Sequence, residues 1–532
     1  MPPQWMNDPQ GLALLEAAKQ EYEDTAPRLV LSDWLEEQGE QEAAQALRRS
    51  LDVLDSMRFF SKGTAQRWYP IQVFIEGWPF AWITASTIDS VLTSSTIPWL
   101  VGLSINGGLS SVDKAISLVN SAHLHSLRFL HLSSTGIREE GAIHLVQATA
   151  LANLVSLQLE HHSHGPRVAS TLANAPHLAN LTRLRLGLNR VGVEGARALA
   201  NSPHLASLRS LSLFNNELGP EGAIAIASTT CLPSLATLDL GYNKIGNQGV
   251  IAFAELTHMR NLTSLTLTEN LIDADGVRIL ANSPRLANLA TLSLESNEIC
   301  DEGAKALSCS LHLSNLRSLD LGNTEIETDG FRWLTQSPHL LHLQSLALSY
   351  LGIDEEKAKL LYAERNFSHL ASLDLGGNLL GGKGFELLVS SPWFDHLTEL
   401  ELSNNPLTSQ DMTILGRSKS RHSLARLALV WCKLGCEGVS NLFAIPGWGK
   451  LRELNLMGAN LRDAGAKAIA EYSYLSELRH LDLQSNGISD EGAMALVQSA
   501  HLPNLRTLNL GNNPISPEVV EIVWRRFGAG TH

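Results

Sequence analysis

Leucine recurs every 27 residues from Leu100 to Leu505, and each of the sixteen segments it opens repeats one order of positions, LxxLxLxxNxL and then GAxxLAxSPHLANL. The openings are Leu100, Leu127, Leu154, Leu181, Leu208, Leu235, Leu262, Leu289, Leu316, Leu343, Leu370, Leu397, Leu424, Leu451, Leu478 and Leu505, without insertion or deletion. Such a period predicts a solenoid, in which each repeat buries its apolar faces only by stacking on its neighbours. In the Leu208 repeat, Leu211 and Leu213 alternate with Ser210, Ser212 and Phe214, the period of two that a half-buried strand requires. Asn216 then turns the chain. Nine repeats carry Asn here (189, 216, 243, 270, 297, 378, 405, 486, 513), and their amides can satisfy backbone groups of successive turns as a ladder. Ala223, Ile226 and Ala227 follow at helical spacing, the apolar stripe of a helix on the opposite side. The acids of Glu194-Gly195, Glu221-Gly222, Asp275-Gly276, Glu302-Gly303 and Glu491-Gly492 fall where these helices begin and complement the positive helix end.

The pattern resembles the leucine-rich repeat family, in its ribonuclease-inhibitor-like branch, over residues 100–532. The resemblance implies an α/β solenoid, a horseshoe with a concave parallel sheet, convex helices and a protein-binding inner surface. The chain departs from the branch's best-known inhibitors by holding one repeat length and having only Cys231, Cys300, Cys309, Cys432 and Cys436. Ribonuclease inhibition as such is not implied.

Two segments precede the array. Residues 1–62 read as an acidic helical module: the first 55 residues hold twelve Asp/Glu against Lys19, Arg28, Arg48 and Arg49, a net of −8 within a total of −14. There, Pro27 near a helix start, the apolar set Leu29, Leu31, Trp34 and Leu35, and Gly39 as a stop predict one short helix. The string Thr25-Ala26-Pro27-Arg28-Leu29-Val30-Leu31-Ser32-Asp33-Trp34-Leu35-Glu36-Glu37-Gln38-Gly39 resembles the bacterial repeat-companion domain, which implies a bacterial origin and no activity. Residues 63–99 concentrate Trp68, Tyr69, Phe74, Trp78, Phe80, Trp82 and Trp99 and are placed to cap the first repeat, because an open stack exposes apolar surface at its end. Val519, Val520, Ile522, Val523, Trp524 and Phe527 are expected to close the other end.

Composition narrows the function classes. The cysteines form no CxxC pair, which favours a reduced cytoplasmic setting over a disulfide scaffold. The first residues lack a basic region leading into a long apolar stretch, and no run of eighteen apolar residues occurs, so neither export nor membrane insertion is expected. A net charge of −14 argues against nucleic acid as a partner, which needs a basic footprint. A protein with a basic or mixed surface fits better.

Motif-like strings reduce to architecture. Gly377-Asn378-Leu379-Leu380-Gly381-Gly382-Lys383-Gly384 nearly spells a phosphate-binding loop but has Gly384 where the metal-binding hydroxyl belongs. His161-His162-Ser163-His164 invites a zinc reading, yet His162 and His164 stand where other repeats carry the ladder Asn and an apolar residue. A degenerate turn accounts for them better. No cofactor, metal or catalytic residue is assigned.

The third, fifth and seventh positions of each repeat face the inner surface. Their acids are Glu160, Asp239, Glu295, Asp320, Asp374, Glu399, Glu401, Glu453 and Asp482, their arginines only Arg183, Arg185 and Arg426. Asp239 and Asp320 are three strands, about 14 Å, apart, whereas Asp374 and Glu401 share a column on adjacent strands at roughly 5 Å. Such neighbours raise at least one carboxyl pKa, but no adjacent nucleophile or histidine completes a mechanism, and a docking point for a partner's Arg or Lys is the better reading. Glu399, Arg426 and Glu453 share another column and can pair laterally. Apolar residues stand where Ser, Gly or Asn is usual at Phe129, Phe214, Tyr242, Tyr350, Val430, Trp431 and Met457, and large aromatic anchors beside charges are what interface hot spots use. The expected partner-binding residues are therefore Phe214, Asp239, Tyr242, Asp320, Tyr350, Asp374, Glu401, Val430, Trp431 and Met457. The expected function is a non-enzymatic protein-interaction scaffold. Regulation of a partner enzyme is the alternative, either nuclease-inhibitor-like, which the acidic face suits, or GTPase-activating-like, for which Arg183, Arg185 and Arg190 are the clustered arginines.

Overall fold

The computed structural model describes Gln10, Leu14, His125, residues 26–38, 82–85, 102–106, 112–120 and 127–527 except 256–257 and 364–366. The chain forms two compact bodies, one of residues 1–191 with 201–210, the other of residues 192–200 with 211–532.

In the first body the helix Ala26–Glu37 buries Leu31, Trp34 and Leu35, the apolar set expected there, the side chain of Leu29 lying outside the described residues. The strand Trp82–Ala85 pairs in parallel with Gly102–Asn106, which pairs with Phe129–Ser133, then Ser156–Glu160, then Arg183–Arg185. A strand from within the aromatic segment thus lies beside the strand of the first repeat. Trp68, Tyr69, Phe74, Trp78, Phe80 and Trp99 lie outside the described residues.

The second body repeats one solution eleven times from Thr237–Asp239 to Thr507–Asn509. Each three-residue strand pairs in parallel with the next, at an offset of 27 residues. The central leucine of every strand, such as Leu238, Leu265 and Leu292, is buried, together with helix residues such as Val250 and Phe253. The other two strand residues point to the opposite side, as the period of two requires. This is the leucine-rich solenoid expected from the sequence, with strands lining one side and helices the other.

The asparagine ladder forms as anticipated. Asn243 Nδ2 donates to the carbonyls of Leu213, Leu240 and Gly241 at 2.8, 2.9 and 3.0 Å, and its Oδ1 accepts the amides of Asn216 and Leu218 at 2.8 and 3.3 Å. Asn270, Asn297, Asn378, Asn405, Asn486 and Asn513 repeat the donation to the leucine carbonyl of the preceding repeat. The polar backbone of a buried turn is thereby satisfied, which a solenoid must do in every repeat. The acids before glycine, Glu194, Glu221, Asp275, Glu302 and Glu491, lie in first helical turns.

Four rungs of the second body lack asparagine, at Thr324, Leu351, Cys432 and Ala459. In the Leu343 repeat, Leu351 replaces the ladder asparagine, and Lys357, in place of the helix-start glycine, is buried with Nζ donating to the carbonyls of Leu351 and Ile326 at 2.6 and 3.1 Å. In the Leu424 repeat Cys432 takes the rung, its thiol 3.4 Å from the Leu402 carbonyl and pushed up to about 11 by burial.

The carboxy-terminal helix Pro517–Phe527 departs from expectation. Val523 and Phe527 are buried, but Ile522 and Trp524 are exposed and Val519 and Val520 half-exposed. One turn-spaced pair closes on the array, because a helix offers a single stripe to a flat end; the remaining apolar residues lie off that stripe.

Candidate functional site

The strands of the second body set the face residues in register. Asp320 stands opposite Ala347, Ala347 opposite Asp374, Asp374 opposite Glu401, and Glu401 opposite Ala428. The pairing of Asp374 with Glu401 on neighbouring strands is the one anticipated, and Asp239 lies three strands from Asp320. Each of these acids is oriented by the backbone two residues on: the amides of Gly241, Gly322, Gly376 and Ser403 donate to Asp239, Asp320, Asp374 and Glu401 at 3.0, 3.1, 2.9 and 2.7 Å. Ser212 and Ser293 hydroxyls add bonds to Asp239 and Asp320 at 2.8 and 3.1 Å.

Electrostatics set a longer group apart. Burial, then the charge of Glu401, pushes the Asp374 carboxyl up to about 7, with Asp320 and Glu295 adding to it. Burial and the charges of Asp320 and Glu269 push Glu295 up to about 7, and burial raises Asp320 and Glu401. Glu295, counted among the face acids but absent from the expected binding set, therefore belongs with Asp320, Asp374 and Glu401. Its signal was available: the seventh position of one repeat lies beside the fifth of the next. Among the described residues no ion pair reaches these four groups, whereas Glu399 is joined to Arg426 one column away.

The aromatic residues occupy one position. Tyr242, Tyr350 and Trp431 all follow the seventh residue of their repeats, all have left-handed backbone (φ 59°, 56° and 56°), and are 41%, 59% and 50% exposed. The same left-handed backbone recurs at this position in other repeats, as at Glu269, Ser296, Asn323 and Asn404, and belongs to the turn of the repeat. The Tyr350 ring lies over Gly377 and the indole of Trp431 over Gly458, where a Cβ would collide with each ring. Phe214 packs its ring on that of Tyr242, centroids 4.9 Å apart. Val430 and Met457 are half-buried beside Trp431, Val430 N donating to Ser403 Oγ at 2.9 Å.

The structure thus yields two groupings within the expected set. Phe214, Asp239 and Tyr242 form one; Tyr350, Asp374, Glu401, Val430, Trp431 and Met457 form the other, extended by Asp320 and Glu295. Phe129, singled out as a misplaced apolar residue, is buried, with the Arg183 guanidinium 5.7 Å from its ring centroid. Arg185 is paired with Glu160 at 2.9 Å.

The remaining motif strings are framework. Asn378 and Leu380 are buried, and Gly382 N donates to Asp411 Oδ1 at 2.9 Å, which places a carboxylate where a phosphate would need an amide. The His162 and His164 rings stack at 4.7 Å, His162 Nε2 meets the Leu132 carbonyl at 3.0 Å, and His164 is buried with both ring nitrogens lacking a hydrogen-bond partner. Among the described residues no helix is long and apolar enough to cross a membrane.

Family comparison agrees with the repeat pattern. A Leucine Rich repeat model matches residues 123–146, 177–200, 204–227, 231–254, 285–308 and 450–470, a two-copy Leucine Rich repeats model matches 476–518, and a further Leucine Rich Repeat model matches 396–417. No curated protein matches the sequence. Among solved structures, a leucine-rich repeat protein of Leptospira interrogans is 22% identical, covering 72% of this chain and 90% of its own, with a TM-score of 0.34. The Rad7–Elc1 complex of yeast aligns at 16% identity over 72% of this chain and 90% of that one, with a TM-score of 0.45. An internalin of Listeria monocytogenes aligns at 18% identity over 82% and 91%, with a TM-score of 0.27.

Proposed function

Because the chain is a leucine-rich repeat protein, we propose that it is a non-enzymatic scaffold that binds a partner protein of basic or mixed surface on the sheet face of its second body. One observation carries the reading: the exposed side chains of Tyr350 and Trp431 flank Asp374 and Glu401, carboxyls that no described cation pairs. Exposed aromatic side chains beside desolvated charge are the makings of an interface anchor. Binding rather than turnover fits this group, since an acid pair needs a nucleophile or base beside it to do chemistry.

A bacterial cytoplasmic setting accords with the cysteine usage and with the likeness of residues 25–39 to the repeat-companion module. Inhibition of a nuclease or another cation-surfaced enzyme is the regulatory role that an acidic face favours. For a GTPase-activating role two of the three clustered arginines are already engaged, Arg185 by Glu160 and Arg183 by the Phe129 ring.

The test is quantitative affinity capture from bacterial cytosol with wild type and with Asp374→Lys/Glu401→Lys/Trp431→Ala/Met457→Ala, both shown to fold by circular dichroism. Enrichment of one protein on wild type and its loss on the variant is the expected result. An unchanged captured set removes the sheet face from the function and turns attention to residues 1–62.

A further inference from the structure

The order of residues along the face specifies the partner more narrowly. Four consecutive repeats present Tyr350, Asp374, Glu401 and Trp431, an aromatic, two carboxyls and an aromatic, and the carboxyls stand opposite each other in register. Resting on the docking function proposed above, we infer that this stretch receives an extended segment of the partner, laid across the strands, with an arginine or lysine over Asp374 and Glu401.

Three observations lead there. The first is charge complementarity: Glu295, Asp320, Asp374 and Glu401 form an acidic group that no described ion pair neutralises, and a cation from outside would relieve their mutual repulsion. Protons partly supply that relief at neutral pH, as the upward shift of Asp374 and Glu295 to about 7 attests.

The second is the rings. Tyr350 leans over Gly377, in the same repeat as Asp374, so a cation bound at that carboxyl has an aromatic face on one flank, an arrangement worth roughly 0.5–2 kcal/mol. Ala347 and Ala428, opposite Asp374 and Glu401 on the outer strands, leave room on both sides of the pair for a planar or tetrahedral cation.

The third is spacing. Tyr350 and Trp431 are three strands apart, about 14 Å at ~4.8 Å per strand. An extended chain advances ~3.3 Å per residue, so about four residues join a contact at one ring to a contact at the other, with the basic residue between them. A helix would need about ten residues for the same span at 1.5 Å each, with its side chains turned away from the face for most of that length.

Fluorescence anisotropy of fluorescein-labelled nona-arginine titrated with the full chain tests this. Saturable binding is expected, weakened at least about tenfold by Asp374→Asn/Glu401→Gln and by Tyr350→Ala/Trp431→Ala. The charge-matched helical-side control Glu386→Gln/Glu437→Gln, both exposed residues, should leave it within twofold. Equal weakening by the control, or no saturable binding, overturns the inference. The neutral pair is near-isosteric, and Asp374→Asn and Glu401→Gln made singly keep the test open should the pair fold poorly. The two levels separate cleanly: a protein captured by wild type and lost on the sheet-face variant, but not displaced by nona-arginine, leaves the docking function standing and removes the extended basic segment.

Discussion

Lys357 Nζ donates to the Leu351 carbonyl at 2.6 Å and to that of Ile326 at 3.1 Å, so a buried lysine amine satisfies two carbonyls at the one repeat where leucine holds the rung. Lys357→Ala should therefore destabilise the second body by roughly 2–4 kcal/mol, from two buried carbonyls left without a donor and the space vacated by the stem. The double change Leu351→Asn/Lys357→Gly, which restores the prevailing repeat, should recover most of the loss in urea titrations. No recovery would mean that the two positions contribute independently.

An intact rung makes the complementary case. Asn243 holds three carbonyls and two amides, and Asn243→Ala should cost about 2–4 kcal/mol, more than a typical surface substitution, because several buried groups lose partners at once. Hydrogen exchange should show the loss concentrated at the amides of Asn216 and Leu218.

His164 sets the acid limit of the first body. Burial, then the neighbouring His162, lowers its pKa from 6.5 to about 3, so the folded state favours the neutral ring. Stability is full above pH 6.5 and falls as pH drops from there toward 3, by up to ~1.4 kcal/mol per pH unit for the group. His131, lowered to about 3, acts in the same sense. His164→Ile should raise stability at pH 7.5 by about 1–3 kcal/mol, since two unsatisfied nitrogens leave the interior, and should flatten the decline between pH 6.5 and 4 in thermal melts.

Asp374 has the opposite sign. Its folded pKa of about 7 lies above the unfolded 3.8, so its contribution is full below pH 3.8 and is lost as pH rises through 7. Asp374→Asn should match wild type near pH 4 and exceed it at pH 8, by roughly 1–3 kcal/mol. Binding of nona-arginine to wild type should strengthen between pH 6 and 8 as the carboxyl ionises. A pH-independent affinity over that range would place the cation elsewhere.

Tyr350 and Trp431 separate stability from binding. Glycine adopts their left-handed backbone without steric cost, so Tyr350→Gly and Trp431→Gly should leave melting within about 1 kcal/mol of wild type, the relieved backbone offsetting the lost ring contact, while capture of the partner falls at least tenfold. Parallel loss of both would assign the rings to the fold alone.

Much of this architecture was legible because a repeat states each rule many times. Leu238, Asn243 and Gly249 mean little singly; their recurrence at 27 residues fixed strand, rung and helix, and hence the register that brings Asp374 to Glu401. Context-dependent features were less legible. The part played by Lys357 is one, because its reach to Leu351 depends on a side chain crossing the turn. Glu295 sits in a different column from Asp320, and only the length of a glutamate brings the two into one electrostatic group. Ile522 and Trp524 looked like closure of the array because helical periodicity gives a stripe without saying which stripe the end of a stack accepts.

The invariance of the 27-residue step makes the interval between Tyr350 and Trp431 an integer. Copying the repeat that begins at Leu370 would lengthen the distance between the rings by a single strand spacing and set a second aspartate between them. The length of sequence a partner must present is thus written in whole repeats, and recombination would retune it together with the number of carboxyls between the rings.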